Sequence, residues 1–358
     1  MLNKTLQITK YNVKGFKNIV ENYNIVNIQN ICNSNFTDNK IKSIDNEPLE
    51  MTYGWADFED NYGTQFNNII ADINTYSVIK ASMRIDIKKI DKHILKAKVY
   101  ERIQSAKLAN ISNVEDDSFY DSKEYRQEII DEVYDTMLIY TKATPKAIPV
   151  IIFPDTETLW FGSTSAKFNE YFVDLFNKTF ECMPIPEIPY QKTNRPKDID
   201  VADQYNNYAQ IGYDFCKYMY YASITSNVDI NFELGNKIVL ANITEDKIQE
   251  KFTITGSEYD TFTTNKIIAD GAEIIEIGLI FNYPEYSIPI YIKAKDMNYS
   301  GVKTLKQEDD EAGFIIKIET ISELLDDIDK YFNDFLKQYE NWEEINNKII
   351  ADLSGSPF

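Results

Sequence analysis

The sequence is short of the residues that most enzyme chemistries need. Its 358 residues include one histidine, His93. A Ser-His-Asp relay and a histidine-rich metal site are nearly ruled out. Three cysteines, Cys32, Cys182 and Cys216, stand far apart and form no CxxC pair. Neither a disulfide framework nor a zinc site is expected, and a reducing cytoplasm fits best. No GxxxxGK[ST] or GxGxxG occurs, so the common phosphate cradles are missing. No run approaches the length of a membrane span, and none is expected. The opening "MLNKTLQITKYNVKG" has no apolar core of a secretory signal.

Positive charge is also scarce. Lys and Arg number 37 against 57 Asp and Glu, a formal charge of −20. That opposes a generally basic nucleic-acid surface and repels DNA at long range, but leaves room for a local basic one. A solvated acidic surface is the ordinary reading. A protein whose acid itself is functional, as in a DNA mimic, is the other.

What is present argues for a folded chain. The hydrophobic fraction is 43% and the aromatic fraction a high 13%, unlike disordered segments. The length allows two or three compact units, or one elongated multi-part body.

The first part reads as strands. "TLQITKYNV" alternates, "EMTYGWADF" is a loop or strand entry centred on Trp55, and "YSVIKASMRIDIKK" alternates through Met83, Ile85 and Ile87. The period then changes. Ile90, Ile94, Leu95, Val99, Ile103 and Ala106 recur at helical spacing, and a second helix is expected from Lys123 to Leu138. A polar, acidic stretch joins them, which predicts a projecting helical hairpin. A strand at Ile148–Phe153, another at Leu159–Gly162 and a helix capped by Ser163 or Ser165 follow. "MPIPEIPYQKTNRPKDID" is the clearest linker. Beyond it, "YDFCKYMYYA" reads as a helix. "NKIVLANITEDKIQEKF" reads as a strand and then a helix capped by Asn242 or Thr244. "AEIIEIGLIFNYPEYSIPIYIKA" reads as a hairpin and "GFIIKIE" as a strand. A last helix is expected from Ser322, with Thr320 and Glu323 as a capping box.

Within this outline residues 84–107 stand out. They hold eight Lys or Arg and three acidic residues. Cations on one helix can follow a phosphate backbone. Charge alone favours a solvated helix face, or pairing with "NVEDD" nearby. Acidic runs at 114–121, 308–311 and 325–331 suggest Mg²⁺, but adjacent carboxylates in polar loops are usually solvated.

The order of elements resembles that of the RdgC family, recombination-associated DNA-binding proteins of bacteria. A "GW" loop precedes an alternating strand and "R-x-D-x-K-K-I-x-x-x-x-I-L-x-x-x-V". Then come a helix ending "DEV", "TPKA" leading into a hairpin that closes on "WFGSTSAK", and a helix. "YDFCKYMYY", "INFELGNKIVL", "NITEDKI", "GAEIIEIGLIFN" and a closing amphipathic helix follow in the family's order. The likeness runs from about residue 5 to 340.

The resemblance implies an α+β, elongated, horseshoe-like subunit with antiparallel sheets and packed helices. Two subunits would close into a homodimeric ring around double-stranded DNA without sequence preference. Such proteins restrain RecA-type recombinases by occupying DNA. The expected parts are 1–88 with 148–183, a projecting region 89–147, a linker or insertion 184–212, a C-terminal α+β part 213–345 and a tail 346–358. The expected phosphate contacts are Lys88, Lys89, Lys92, Lys96, Lys98, Arg102, Lys107, Lys142 and Lys146. Ile148 stands where the family has an aromatic dimer contact. Val239 and Leu240 stand where it has a basic pair, leaving Lys237 and Lys247 as the nearest cations. No catalytic residue, metal or cofactor is expected, and the location implied is cytoplasmic and nucleoid-associated. The alternative is an acidic interaction or inhibitor protein, of mobile-element origin, that uses the same fold to bind a basic protein. A metal-dependent nuclease ranks last.

Overall fold

A computed structural model describes residues 5–17, 25–60, 62–66, 68–73, 76–109, 118–187, 201–225, 230–244, 247–256, 261–308 and 310–355. The strands are β1 (Thr5–Asn12), β2 (Met51–Ala56), β3 (Ile70–Ile73), β4 (Tyr76–Ile87), β5 (Thr144–Phe153), β6 (Thr158–Phe161), β7 (Ile185–Pro186), β8 (Phe232–Thr244), β9 (Lys247–Thr255), β10 (Glu273–Asn282), β11 (Ser287–Lys293) and β12 (Asn298–Lys303). The helices are α1 (Ile25–Asp38), α2 (Lys92–Ala109), α3 (Ser118–Asp121), α4 (Lys123–Tyr140), α5 (Ala166–Phe180), α6 (Val201–Ile224), α7 (Thr261–Ala269), α8 (Glu311–Gln338) and α9 (Trp342–Gly355).

The fold is α+β, built on one large antiparallel sheet. Its order is β2-β4-β5-β6-β1-β12-β11-β10-β8-β9, with β3 beside β4 and β7 beside β1. Strand β1 belongs to two half-sheets. Thr5 to Ile8 pair with β12, and Thr9 to Asn12 pair with β6.

The N-terminal half-sheet buries one face along its length, where period-two alternation places the apolar residues of β4, and part of the other. Ile79, Ala81, Met83 and Ile85 of β4 and Ile148, Val150 and Ile152 of β5 pack beneath α1 and α5. Trp55, fully buried, touches Phe36 of α1 and donates its indole N–H to Thr179 Oγ1 of α5 at 2.7 Å. Gly54 permits the approach: a Cβ there would sit 2.6 Å from the Ile41 backbone nitrogen. The opposite face carries Val78, Ile151, Phe153 and Trp160 into a second core.

That second core runs the length of α8. Phe314 at its start meets Phe58, while Phe332 and Phe335 meet Phe215 of α6. At 28 residues α8 spans about 42 Å, enough to reach both half-sheets. The C-terminal half-sheet buries Ile274, Ile277, Leu279 and Phe281 there.

Several expectations are corrected. "GFIIKIE" is not a strand but the start of α8: Phe314, Ile318, Ile321 and Leu325 continue a three-to-four spacing. The cap is Asp310, whose carboxylate accepts from Gly313 N–H at 2.7 Å. Thr320 lies inside the helix and bonds back to the Ile316 carbonyl. The run after "NIT" is strand β9 and not a helix, because Phe252 and Ile254 alternate onto the core. Of the expected linker, 188–200 lie outside the described residues, while 201–212 belong to α6 and Ile211 is buried. The expected tail is largely helix α9, anchored by Ile349 and Leu353. Ser165 does precede α5, without a side-chain capping bond.

Candidate nucleic-acid interface

The basic run 84–107 divides among three environments. In β4, alternation sends the polar residues Lys80, Ser82, Arg84 and Asp86 to one face. Arg84 grips Asp86 through two bonds of 2.7 Å each, and Asp86 is buried. Lys88, one step past the strand, is also buried. Its ammonium donates to the carbonyls of Glu47 and Leu138, both at 2.7 Å. Lys88 is therefore removed from the expected phosphate contacts: it ties the end of β4 to α4.

Asp91 opens α2. Its Oδ1 accepts from the backbone N–H of Ile94 and His93, at 3.1 and 2.7 Å. These donors hold its carboxyl below the usual range. An Asp just ahead of a helical period is an N-cap signal in the sequence. His93 is exposed.

Helix α2 carries Lys92, Lys96, Lys98, Arg102 and Lys107 against one carboxylate, Glu101. Leu95, Val99, Ile103 and Ala106 line its covered side, while Ile94 is 53% exposed. The cations do not form one stripe. Lys92, Lys96 and Lys107 lie at four- and eleven-residue spacing on one flank, beside exposed Tyr100. Lys98 and Arg102 lie on the other flank, where Arg102 pairs with Glu132 of α4 at 2.9 Å. That pair is half-exposed and contributes little to stability. Lys89, Lys92, Lys96 and Lys98 are exposed, and no carboxylate among the described residues pairs with them. Lys107 is half-buried. The acidic connection at 110–117 lies outside the described residues.

The hairpin closes on aromatic packing. Phe119 and Tyr120 of α3 contact Tyr125 of α4 at 5.1 and 5.3 Å. Ser122 caps α4 by accepting from Tyr125 N–H at 3.2 Å.

Lys142 is largely solvated and lies 3.5 Å from Asp45. Lys146 is exposed, its ammonium 4.2 Å from the Phe168 ring centre, a cation–π contact. Ile148 is 1% exposed. The alternation of β5 turns it under α5, so the expected dimer contact at this residue is corrected to a core position. Val239 and Leu240 are buried. Lys237 is held by Glu276 at 2.7 Å, and Lys247 is exposed on β9.

The acidic runs are spent separately. Asp310 caps α8, Asp327 accepts from Asn231 and Tyr283, and Asp329 pairs with Lys10. Among the described residues no three His, Cys, Asp or Glu side chains converge to hold a metal ion. The three cysteines are buried, and burial pushes the Cys32 thiol up to about 12. Among the described residues no helix is long and apolar enough to cross a membrane. The chain matches no family model and no curated protein sequence.

Proposed function

We propose that this protein binds duplex DNA without sequence preference, as a non-enzymatic homodimeric ring of the RdgC type that limits recombinase access to DNA. One observation carries the reading. In a chain at −20, Lys89, Lys92, Lys96 and Lys98 stay exposed without a carboxylate partner among the described residues. Ammonium groups left unneutralised beside so much acid suit a polyanion. Phosphate contacts of this kind position a protein but carry no base information. The working set is Lys89, Lys92, Lys96, Lys98, Arg102, Lys107, Lys142 and Lys146, with Lys88 dropped. Ring closure, recombinase antagonism and nucleoid association rest on the order of elements in the sequence.

The test is a gel shift on linear and circular duplex across a salt series, with solution mass measured alongside. Binding should weaken steeply with salt. Reversing Lys92 and Lys96 to Glu should reduce the log–log slope by about 2 per subunit. No retention of duplex at low salt sinks the reading. Unchanged activity in the reversed variant turns it toward the acidic protein-binding alternative.

A further inference from the structure

A groove of about 740 Å³ lies where the two half-sheets meet. Its size is that of a ligand site. Thr9 and Tyr11 of β1, both buried, form its floor. Tyr11 is fixed there by a hydrogen bond to Asn169 of α5.

One wall is the face of α5 turned away from its aromatic core. Ala166, Glu170, Val173, Asp174 and Asn177 fall there at helical spacing. The other wall includes Lys295 and Asp296 in the turn between β11 and β12. That turn has a rigid foundation. Gly212 of α6 packs so close to Ala294 that a Cβ would stand 1.8 Å from the Ala294 carbonyl oxygen. Met183 and Pro186, flanking and within β7, add apolar surface, and Met183 is 65% exposed.

The charge balance sets the ligand's sign. Among the described residues that line the groove, Glu170, Asp174 and Asp296 stand against one cation, Lys295. Glu170 and Asp296 are exposed, with no salt bridge to any described residue, and Asp174 accepts only the Tyr53 hydroxyl, at 2.8 Å. A phosphate backbone is repelled by such walls. A guanidinium is attracted, because its planar fork matches a carboxylate in two parallel bonds. The apolar lining between the acids suits short aliphatic side chains.

We infer that this groove docks an Arg-bearing, otherwise apolar peptide segment of a protein partner, at a site separate from the basic hairpin. The site does not depend on DNA binding: the groove shares no residue with α2.

The probe is a fluorescein-labelled Arg-Val-Arg-Val-Arg peptide, with Glu-Val-Glu-Val-Glu as its control, titrated against the full chain by anisotropy. The basic peptide should bind saturably. Glu170→Lys with Asp296→Lys should weaken it about ten-fold, as two partly exposed ion pairs would. Glu343→Lys with Glu344→Lys, on exposed positions of α9, changes net charge equally and should leave binding unchanged. The Lys92→Glu, Lys96→Glu variant should bind the peptide as before even if it has lost DNA. Equal loss in both charge-matched variants means bulk attraction and overturns the site, as does absence of saturation. A fall in solution mass of the Glu170→Lys, Asp296→Lys protein makes a second copy of the chain the occupant, which also overturns it. Thermal melts check folding. If the reversed pair fails to fold, Glu170→Gln with Asp296→Asn carries the same comparison.

Discussion

Lys88 and Lys92 are four positions apart and chemically identical, yet they do opposite work. The ammonium of Lys88 closes two backbone carbonyls from water, whereas that of Lys92 faces solvent. Removing a buried charged donor strands its acceptors, at a cost of about 1–3 kcal/mol for each. Lys88→Met should therefore destabilise the fold by about 3 kcal/mol. Lys92→Met should cost under about 0.5 kcal/mol. Urea midpoints at neutral pH compare the two directly. Equal shifts would mean that Lys88 is not the tie described. Arg84 belongs with Lys88: its bidentate bond to buried Asp86 is internal. The local charge excess of the sequence is thus partly a property of the core.

At the scale of elements, α2 depends on its cap. Its covered side is thin, with Ile103 alone of its described side chains buried. The backbone donors at its first turn therefore matter more than in α5, which buries Phe172, Leu175, Phe176 and Phe180. Asp91's carboxyl lies below the usual range in the folded state. A depressed acid stabilises the fold above its unfolded value, about 3.9, and that contribution is lost as pH falls through the lower folded value. Relative to the intrinsic rate at each pH, amide exchange at His93 and Ile94 should accelerate on acidification below about pH 4. Asp91→Ala should show the fast exchange already at pH 7. Protection in the variant equal to wild type at pH 7 would remove Asp91 from this role. The same scale explains the misread elements. The short apolar run Ile315, Ile316 and Ile318 is equally compatible with a strand, although the helical spacing of α8 begins at Phe314. Its first turns face the N-terminal half-sheet, a surface assembled from distant sequence.

At the scale of the whole molecule, Lys10 joins the halves. It sits in β1 and holds Asp329 of α8 at 2.7 Å and Glu187 beside β7 at 3.0 Å. Burial lowers its pKa, but the two carboxylates more than offset this and the net shift is upward. A raised amine stabilises the fold at every pH below its unfolded value, about 10.4, and the contribution disappears as pH climbs through the higher folded value. Wild-type stability should carry no Lys10-dependent slope between pH 6 and 9, by this sign, and should fall beyond about pH 10. Asp326 of α8 lines the same cavity as Lys10, Glu187 and Asp329, so Lys10→Met leaves three carboxylates around it without that ammonium. That variant should be weaker at pH 7 and should regain ground on wild type as pH drops toward about 4 and the acids protonate. Guanidine unfolding at pH 4.5, 7 and 10.5 tests this. A constant gap at all three values would contradict the coupling.

The sequence by itself determined the α+β class, the change from period two to period 3.6 at residue 90, the hairpin of α2 and α4, and the basic run between them. These are local quantities: alternation, helical spacing and charge per residue are set by neighbours a few positions away. Only the tertiary structure decided that Lys88 and Ile148 are internal, that α8 begins at Glu311, that β9 is a strand, and that an acidic groove opens over Thr9 and Tyr11. Each depends on which distant backbone lies opposite a residue. Burial, ion pairing and concavity come from that juxtaposition, and no stretch of sequence contains it.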